Sequence, residues 1–204
     1  MRIEGLLTLS LAAALTLPAA AQQRPDNDVA VYIGYRFGGS FTDVATQDDW
    51  EASEGGSYAL ALGLGVDGQR QYQLFFSHYS GKLQPSGFLT PVTDIGLSIT
   101  YLHFGGSYFF EPSGKGPYLS GGIGLTNFHP SQPGYSSETR FSMSIAAGYQ
   151  LPVSKQVALR LEGRGYGTLI NSSSAFLCSG GCVVQIQGDT FAQGDLLLGV
   201  AVRF

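Results

Sequence analysis

Two short stretches carry the residue types of nucleophilic catalysis. "HYS" sets His78 two residues before Ser80, and "HPS" sets His129 two residues before Ser131, with Glu138 close behind. In such a set the imidazole takes the serine proton and a carboxylate orients the imidazole. Two His-x-Ser hits in a serine-rich chain are close to chance, however. Pro130 interrupts the second pair, and Glu138 stands across a connection from it. No catalytic residue is assigned. Cys178 and Cys182 in "CSGGC" form the other reactive pair. Two thiolates with no histidine nearby fall short of a four-ligand zinc shell; in an exported chain they read as a disulfide. Closing so short a loop contributes about 2–3 kcal/mol at most, enough to pin a loop but not to hold a fold. Asp48, Asp49, Glu51 and Glu54 lack the spacing of a calcium loop and read as a solvated connection. No phosphate-cradling loop, dinucleotide fingerprint or metal-ligand cluster occurs, so no cofactor and no metal is expected.

Export is argued from the first residues. Arg2 gives a weak positive start, an apolar run extends from Leu6 to Leu17, and Ala19 and Ala21 take the small-x-small cleavage positions. The apolar run is too short to span a bilayer as a helix. Residues 1–21 therefore read as a cleaved secretory signal, leaving 22–204 as one domain. Charged residues are sparse, at 13%, and the net charge is −4. Removing Arg2 with Glu4 leaves that balance unchanged, and it excludes the basic patch a nucleic-acid partner needs. A hydrophobic fraction of 44% excludes general disorder.

The elements that must position any site are strands. Val29, Val31, Ile33, Tyr35 and Phe37 alternate with small or polar residues, and so do Tyr58 to Val66, Phe141 to Leu151 and Val157 to Leu161. The chain finishes "GDLLLGVAVRF" in the same period, ending on Val200, Val202 and Phe204. Residues 70–81 and 117–128 follow less tidily. In 95–110 the apolar phase changes between Ile99 and Leu102, and a bulge near Thr100-Tyr101 is expected to reconcile the two halves. That makes eight strands. The connections alternate between short, near Asp67-Gly68, 111–117 and 152–155, and long, near 42–57, 82–94, 129–139 and 171–189. Short turns at one end and long loops at the other are the pattern of a transmembrane barrel.

Side-chain volume decides which face is inside. Eight strands of Leu, Val, Ile, Phe and Tyr facing inward would overfill a narrow barrel and leave an exterior of Gly, Ala and Ser. The reverse arrangement gives a lipid-facing apolar band and a filled interior, with every backbone polar group paired by closure. The fold class is all-β: an eight-stranded antiparallel up-and-down transmembrane barrel. Arg36, Arg160, Glu162, Arg164, Asp195 and Arg203 then point inward from the first and last two strands, which meet on closure. An internal Arg–carboxylate network that blocks the lumen is expected.

The stretches "RQYQLFFSHYS", "TYLHFGGSYFF", "PYLSGGIGLTNF", "SSETRFSMSIAAGYQLPVS", "LRLEGRGYGTLINSSSAFLCSGGC" and "GVAVRF" resemble the small eight-stranded outer-membrane barrel superfamily of OmpX, the OmpA barrel and OmpW. They are most similar to the proteobacterial outer membrane protein β-barrel domain group. The resemblance implies insertion into a Gram-negative outer membrane by the BAM machinery, with Phe204, Val202 and Val200 as the assembly signal. It also implies both mature termini in the periplasm, and outer-membrane lipids with lipopolysaccharide as surroundings. A monomer is expected. The function expected is a non-enzymatic surface barrel. Transport of small hydrophobic molecules, as suggested for OmpW-like barrels, is the alternative. A lipid A hydrolase, for which some barrels of this size use a His-x-Ser pair, ranks below both.

Overall fold

The computed structural model describes residues 27–42, 49–85, 95–112, 114–131, 134, 136–170 and 190–204. The expected signal segment with Ala19 and Ala21, the Cys178 and Cys182 pair, and Asp48 lie outside the described residues.

These residues form β1 (Asp28–Phe37), β2 (Ser40–Thr42), β3 (Asp49–Ala52), β4 (Gly55–Gly65), β5 (Arg70–Pro85), β6 (Ile95–Glu111), β7 (Lys115–Pro130), β8 (Glu138–Pro152), β9 (Val157–Leu169) and β10 (Thr190–Arg203). β1 pairs with β4 on one side and β10 on the other, β10 to β5 pair in sequence from there, and the β5–β6 pairing is part of the circuit. The result is a closed eight-stranded antiparallel barrel. β2 and β3 are upper continuations of its first hairpin. Ser40 pairs with Glu51 in the same register as Arg36 with Gly55, and the interruption falls at Gly38 and Gly39, whose positive φ values of 76° and 102° suit glycine. The described residues of the long connection expected over 42–57 are thus mostly strand.

Neighbouring residues followed once round the wall, from Tyr79 through Ser57, Gly34, Leu197, Glu162, Gly148, Tyr118 and Phe109, lead back to Gln69, ten positions down the strand they left. Eight strands with that stagger enclose an interior just wide enough for side chains to fill. The short turns are closed by local chemistry. Asp67 accepts the Gln69 and Arg70 amides at 2.9 and 2.8 Å, and Ser154 Oγ accepts the Val157 amide at 3.0 Å. The Arg70 guanidinium and the Gln69 amide hold the Asp67 carboxyl below its usual range.

One strand corrects the sequence reading. β6 pairs without interruption with β5 from Tyr108 to Ile95, and with β7 from Phe109 to Leu97, so no bulge sits at Thr100-Tyr101. The backbone keeps its phase and the chemistry changes instead. Leu102 and Phe104 face outward and are exposed, whereas Ile95, Leu97 and Ile99 face inward and are buried. The same change occurs on β7, where Ile123 and Leu125 face out and Phe128 faces in, and on β10, where Leu196 and Leu198 face out and Phe191 faces in. Toward the long connections the barrel becomes apolar inside and, along β5–β8, polar outside. That is the arrangement of a wall that has left the lipid.

Candidate functional site

The lumen is built from inward positions of every wall. On β1, β10 and β9, Arg36, Asp195 and Arg164 lie on one register row. Arg36 Nη2 donates to Asp195 Oδ2 at 2.6 Å, and Asp195 also accepts from Ser57 at 2.6 Å and Tyr166 at 3.3 Å. The guanidinium lies among the ring faces of Tyr166, Tyr101 and Tyr79, at 4.6, 5.0 and 5.8 Å. One layer down, Arg164 Nε donates to Glu162 at 2.7 Å, and Tyr118 donates to the same carboxylate at 2.7 Å. Arg164 also reaches Gln73, Ser120 and Ser144 at 3.1 Å each and covers the Phe75 ring at 3.7 Å. Lowest of the three, Arg160 grips Asp28 with both terminal nitrogens, at 3.1 and 2.6 Å, and Gln71 donates to the same carboxylate at 3.0 Å. All six charged residues are 0–2% exposed.

Charges at such depth persist only when paired. Each of these carboxylates accepts at least two side-chain bonds, whereas Arg36 Nε and Nη1 have no hydrogen-bond partner among the described residues and rest among the tyrosine rings. The small residues between them on the same walls are closely packed. A Cβ on Gly34 would fall 2.5 Å from Leu197, and one on Gly199 would fall 2.4 Å from the Tyr32 ring. His103, also inward, is held between Ser142 and Ser144 at 2.8 and 2.9 Å.

Five of the six charged residues named from the sequence thus form buried pairs, though in three stacked layers. Arg203 is placed at the short-turn rim, half-buried, where it donates to the Gly114 carbonyl at 3.1 Å. Asp28 was missed, because it stands one residue before the first apolar position of its strand. Its signal was parity: it shares the inward phase of Ala30, Tyr32 and Arg36. Above the charged layers Leu83, Ile95, Leu97, Ile99, Phe128, Phe191 and Trp50 form a buried apolar cap.

The His-x-Ser pairs both land on the outside. His78 Nε2 lies 3.1 Å from Ser80 Oγ, but its other ring nitrogen meets the Thr100 hydroxyl at 2.8 Å and no carboxylate. His129 Nδ1 meets Ser137 at 2.6 Å, while Glu138 is ion-paired to Arg140 on the other phase of the strand. The serine, histidine and carboxylate of the second stretch do not assemble. Of the acidic connection, Glu54 accepts the Tyr35 hydroxyl at 3.0 Å, and among the described residues no group of three or more His, Cys, Asp or Glu could hold a metal ion. Val200, Val202 and Phe204 all face outward on the last strand, and the Phe204 amide is tied to the Asn27 carbonyl at 3.0 Å.

A closed barrel with an apolar outer band and a packed polar lumen has known relatives. The model of the family described as outer membrane protein beta-barrel domain matches residues 7–204. The chain belongs to that family. Among solved structures it is similar to Neisserial surface protein A, with a TM-score of 0.59 and 16% identity over 87% of this chain and 97% of that one. It is also similar to OprG of Pseudomonas aeruginosa, with a TM-score of 0.53 and 9% identity over 90% of this chain and 98% of that one. AlkL, determined in lipid bilayers, gives a TM-score of 0.51 and 10% identity over 100% of this chain and 97% of that one. At these identities the likeness concerns the fold. No protein of curated description matches the sequence. Family membership makes this an outer-membrane β-barrel protein of the small eight-stranded kind.

Proposed function

We propose that the protein is a non-enzymatic surface barrel whose lumen is closed, acting through its outer face and long connections, with both mature termini on the periplasmic side. The observation that supports this is the state of the lumen charges. A conducting pore wets its lining, whereas Arg36, Asp195, Glu162 and Arg164 are 0–2% exposed. In this reading the outer-leaflet lipids, lipopolysaccharide among them, are its immediate partners, and assembly by the BAM machinery reads the outward Val200, Val202 and Phe204. The expected Cys178–Cys182 disulfide then belongs to a connection on the outer side.

Transport of small hydrophobic molecules has one feature in its favour. The outward positions Gly106 and Gly121 face each other across β6 and β7 and open a groove of about 510 Å³ lined by Tyr72, Tyr108 and Leu119. That groove leads to wall. Behind it Gln73, Ser120 and Arg164 hydrogen-bond to one another. Reconstitution in planar bilayers separates the readings. The closed barrel gives no steady single-channel current; large, steady currents would overturn the proposal. For the enzyme alternative, purified protein is incubated with lipid A, and acyl release abolished by both His78→Ala and His129→Ala would reinstate it.

A further inference from the structure

The outward face of β5–β8, where the lumen turns apolar, carries an uninterrupted polar surface. Two adjacent register rows cross these four strands. One runs His78, Thr100, Asn127 and Thr139; the next carries Ser80, Ser98, His129 and Ser137. Their side chains are linked across the strands. His78 reaches Thr100 at 2.8 Å and Ser80 at 3.1 Å, Ser80 reaches Ser98 at 2.9 Å, Asn127 donates to Thr139 at 3.0 Å, and His129 reaches Ser137 at 2.6 Å. Just below the rows the same outward faces carry Phe76, Leu102, Leu125 and Phe141, of which the last three are exposed as a lipid-facing band would be. Among the described residues the other side of the barrel lacks such a surface: the upper outward positions of β1 and β4 include the exposed aromatics Tyr35, Phe37 and Tyr58.

Eight hydrogen-bonding side chains, none of them Asp, Glu, Arg or Lys, at the edge of an apolar band do not suit acyl chains, where each unmet group would cost free energy. Hydroxyl, carboxamide and imidazole groups each have more hydrogen-bonding positions than these internal contacts use. The rows contain no carboxylate to repel an anionic headgroup and no Arg or Lys to select a phosphate; Lys82 stands one outward position above Ser80. A dense array of hydroxyl, carboxamide and imidazole donors and acceptors is the complement of sugar hydroxyls.

We propose that this four-strand surface binds the saccharide headgroup of a glycolipid in the outer leaflet, on one side of the barrel only. The inference rests on the reading that the long connections lie on the outer side. It gives His78, Ser80 and His129 of the two His-x-Ser stretches a common role, as members of a binding surface.

The test uses the folded protein in detergent micelles, with retained lipid read by native mass spectrometry. Lipopolysaccharide and phosphatidic acid are the two probes. Wild type retains lipopolysaccharide and not phosphatidic acid. The variant carrying Ser98→Val, Thr100→Val, Asn127→Leu and Thr139→Val retains at least tenfold less, while Thr190→Val on β10 changes nothing. If the fourfold variant does not fold, as shown by loss of the heat-dependent gel shift, Thr100→Val and Thr139→Val alone each lower retention severalfold. Unchanged retention in these variants overturns the proposal. So does equal retention of phosphatidic acid, since any lipid phosphate would then suffice. A barrel that is non-conducting yet retains no glycolipid sinks this inference and leaves the proposed function standing; a conducting barrel that retains it does the reverse.

Discussion

The lower and upper parts of the lumen are lined by the same inward phase of the same strands, yet their chemistry is opposite. Below, Asp28, Arg160, Glu162, Arg164, Arg36 and Asp195 fill the interior as paired charges; above, Leu97, Ile99, Phe128 and Phe191 fill it as hydrocarbon. The outer face changes in the reverse sense, from Leu102 and Leu125 to Ser98 and His129. The difference teaches what each face is measured against. Where the outside is lipid, an apolar interior would leave little to tell inside from outside, and paired charges fix the phase of every strand. Where the outside is water or headgroups, an apolar interior does the same work by the ordinary hydrophobic effect.

The largest expected effect breaks the lower part. Asp195→Ala leaves Arg36 buried without its carboxylate and is expected to lose about 3–5 kcal/mol, read as a fall in the urea midpoint of the gel-shifted folded form. The double change Arg36→Met with Asp195→Leu should recover most of that loss, because it removes both charges together. Breaking the upper part comes next. Phe128→Ala opens a cavity in the apolar cap, at a cost of about 3–5 kcal/mol if the site does not collapse and less if it does.

The boundary between the parts is sharpened by an outward arginine scan. Ile123→Arg, in the band, should cost about 2–4 kcal/mol, and Ser98→Arg, in the polar rows, about 0–1 kcal/mol. The smallest effect lies at the short-turn end. The Asp67 carboxyl is held below its usual value by Arg70, so its contribution is present above the unfolded carboxylate pKa and is lost as pH falls through the lower folded one. Asp67→Asn should therefore lower stability slightly at neutral pH, and its difference from wild type should vanish in strong acid.

Much of this was legible in the sequence. Period-two alternation gave the eight walls, alternating connection lengths gave their antiparallel order, and side-chain volume placed the charges inside. Two things were not. Asp28 was passed over because the strand was counted from its first apolar residue, although its parity with Ala30, Tyr32 and Arg36 pointed it inward. The phase change in β6 was read as a backbone bulge, because alternation alone does not say whether the chain or its surroundings has switched. Only the register, unbroken from Ile95 to Tyr108 against β5, separates the two. The partners Tyr118 and Gln73 converge on Glu162 and Arg164 from strands far off in sequence, and Ser144 joins them from the strand next to theirs. Nothing local marks them.

The claim that the phase switch marks where the wall leaves lipid is tested most directly by spin labels along β6. With Cys178 and Cys182 replaced by serine, single cysteines at 104, 102, 100 and 98 are labelled in the reconstituted barrel. Collisions with oxygen are then compared with collisions with a water-soluble nickel complex. Oxygen should dominate at 104 and 102, nickel at 98, with the crossover at 100. Oxygen dominance persisting through 98 would place the switch inside the bilayer and contradict the account.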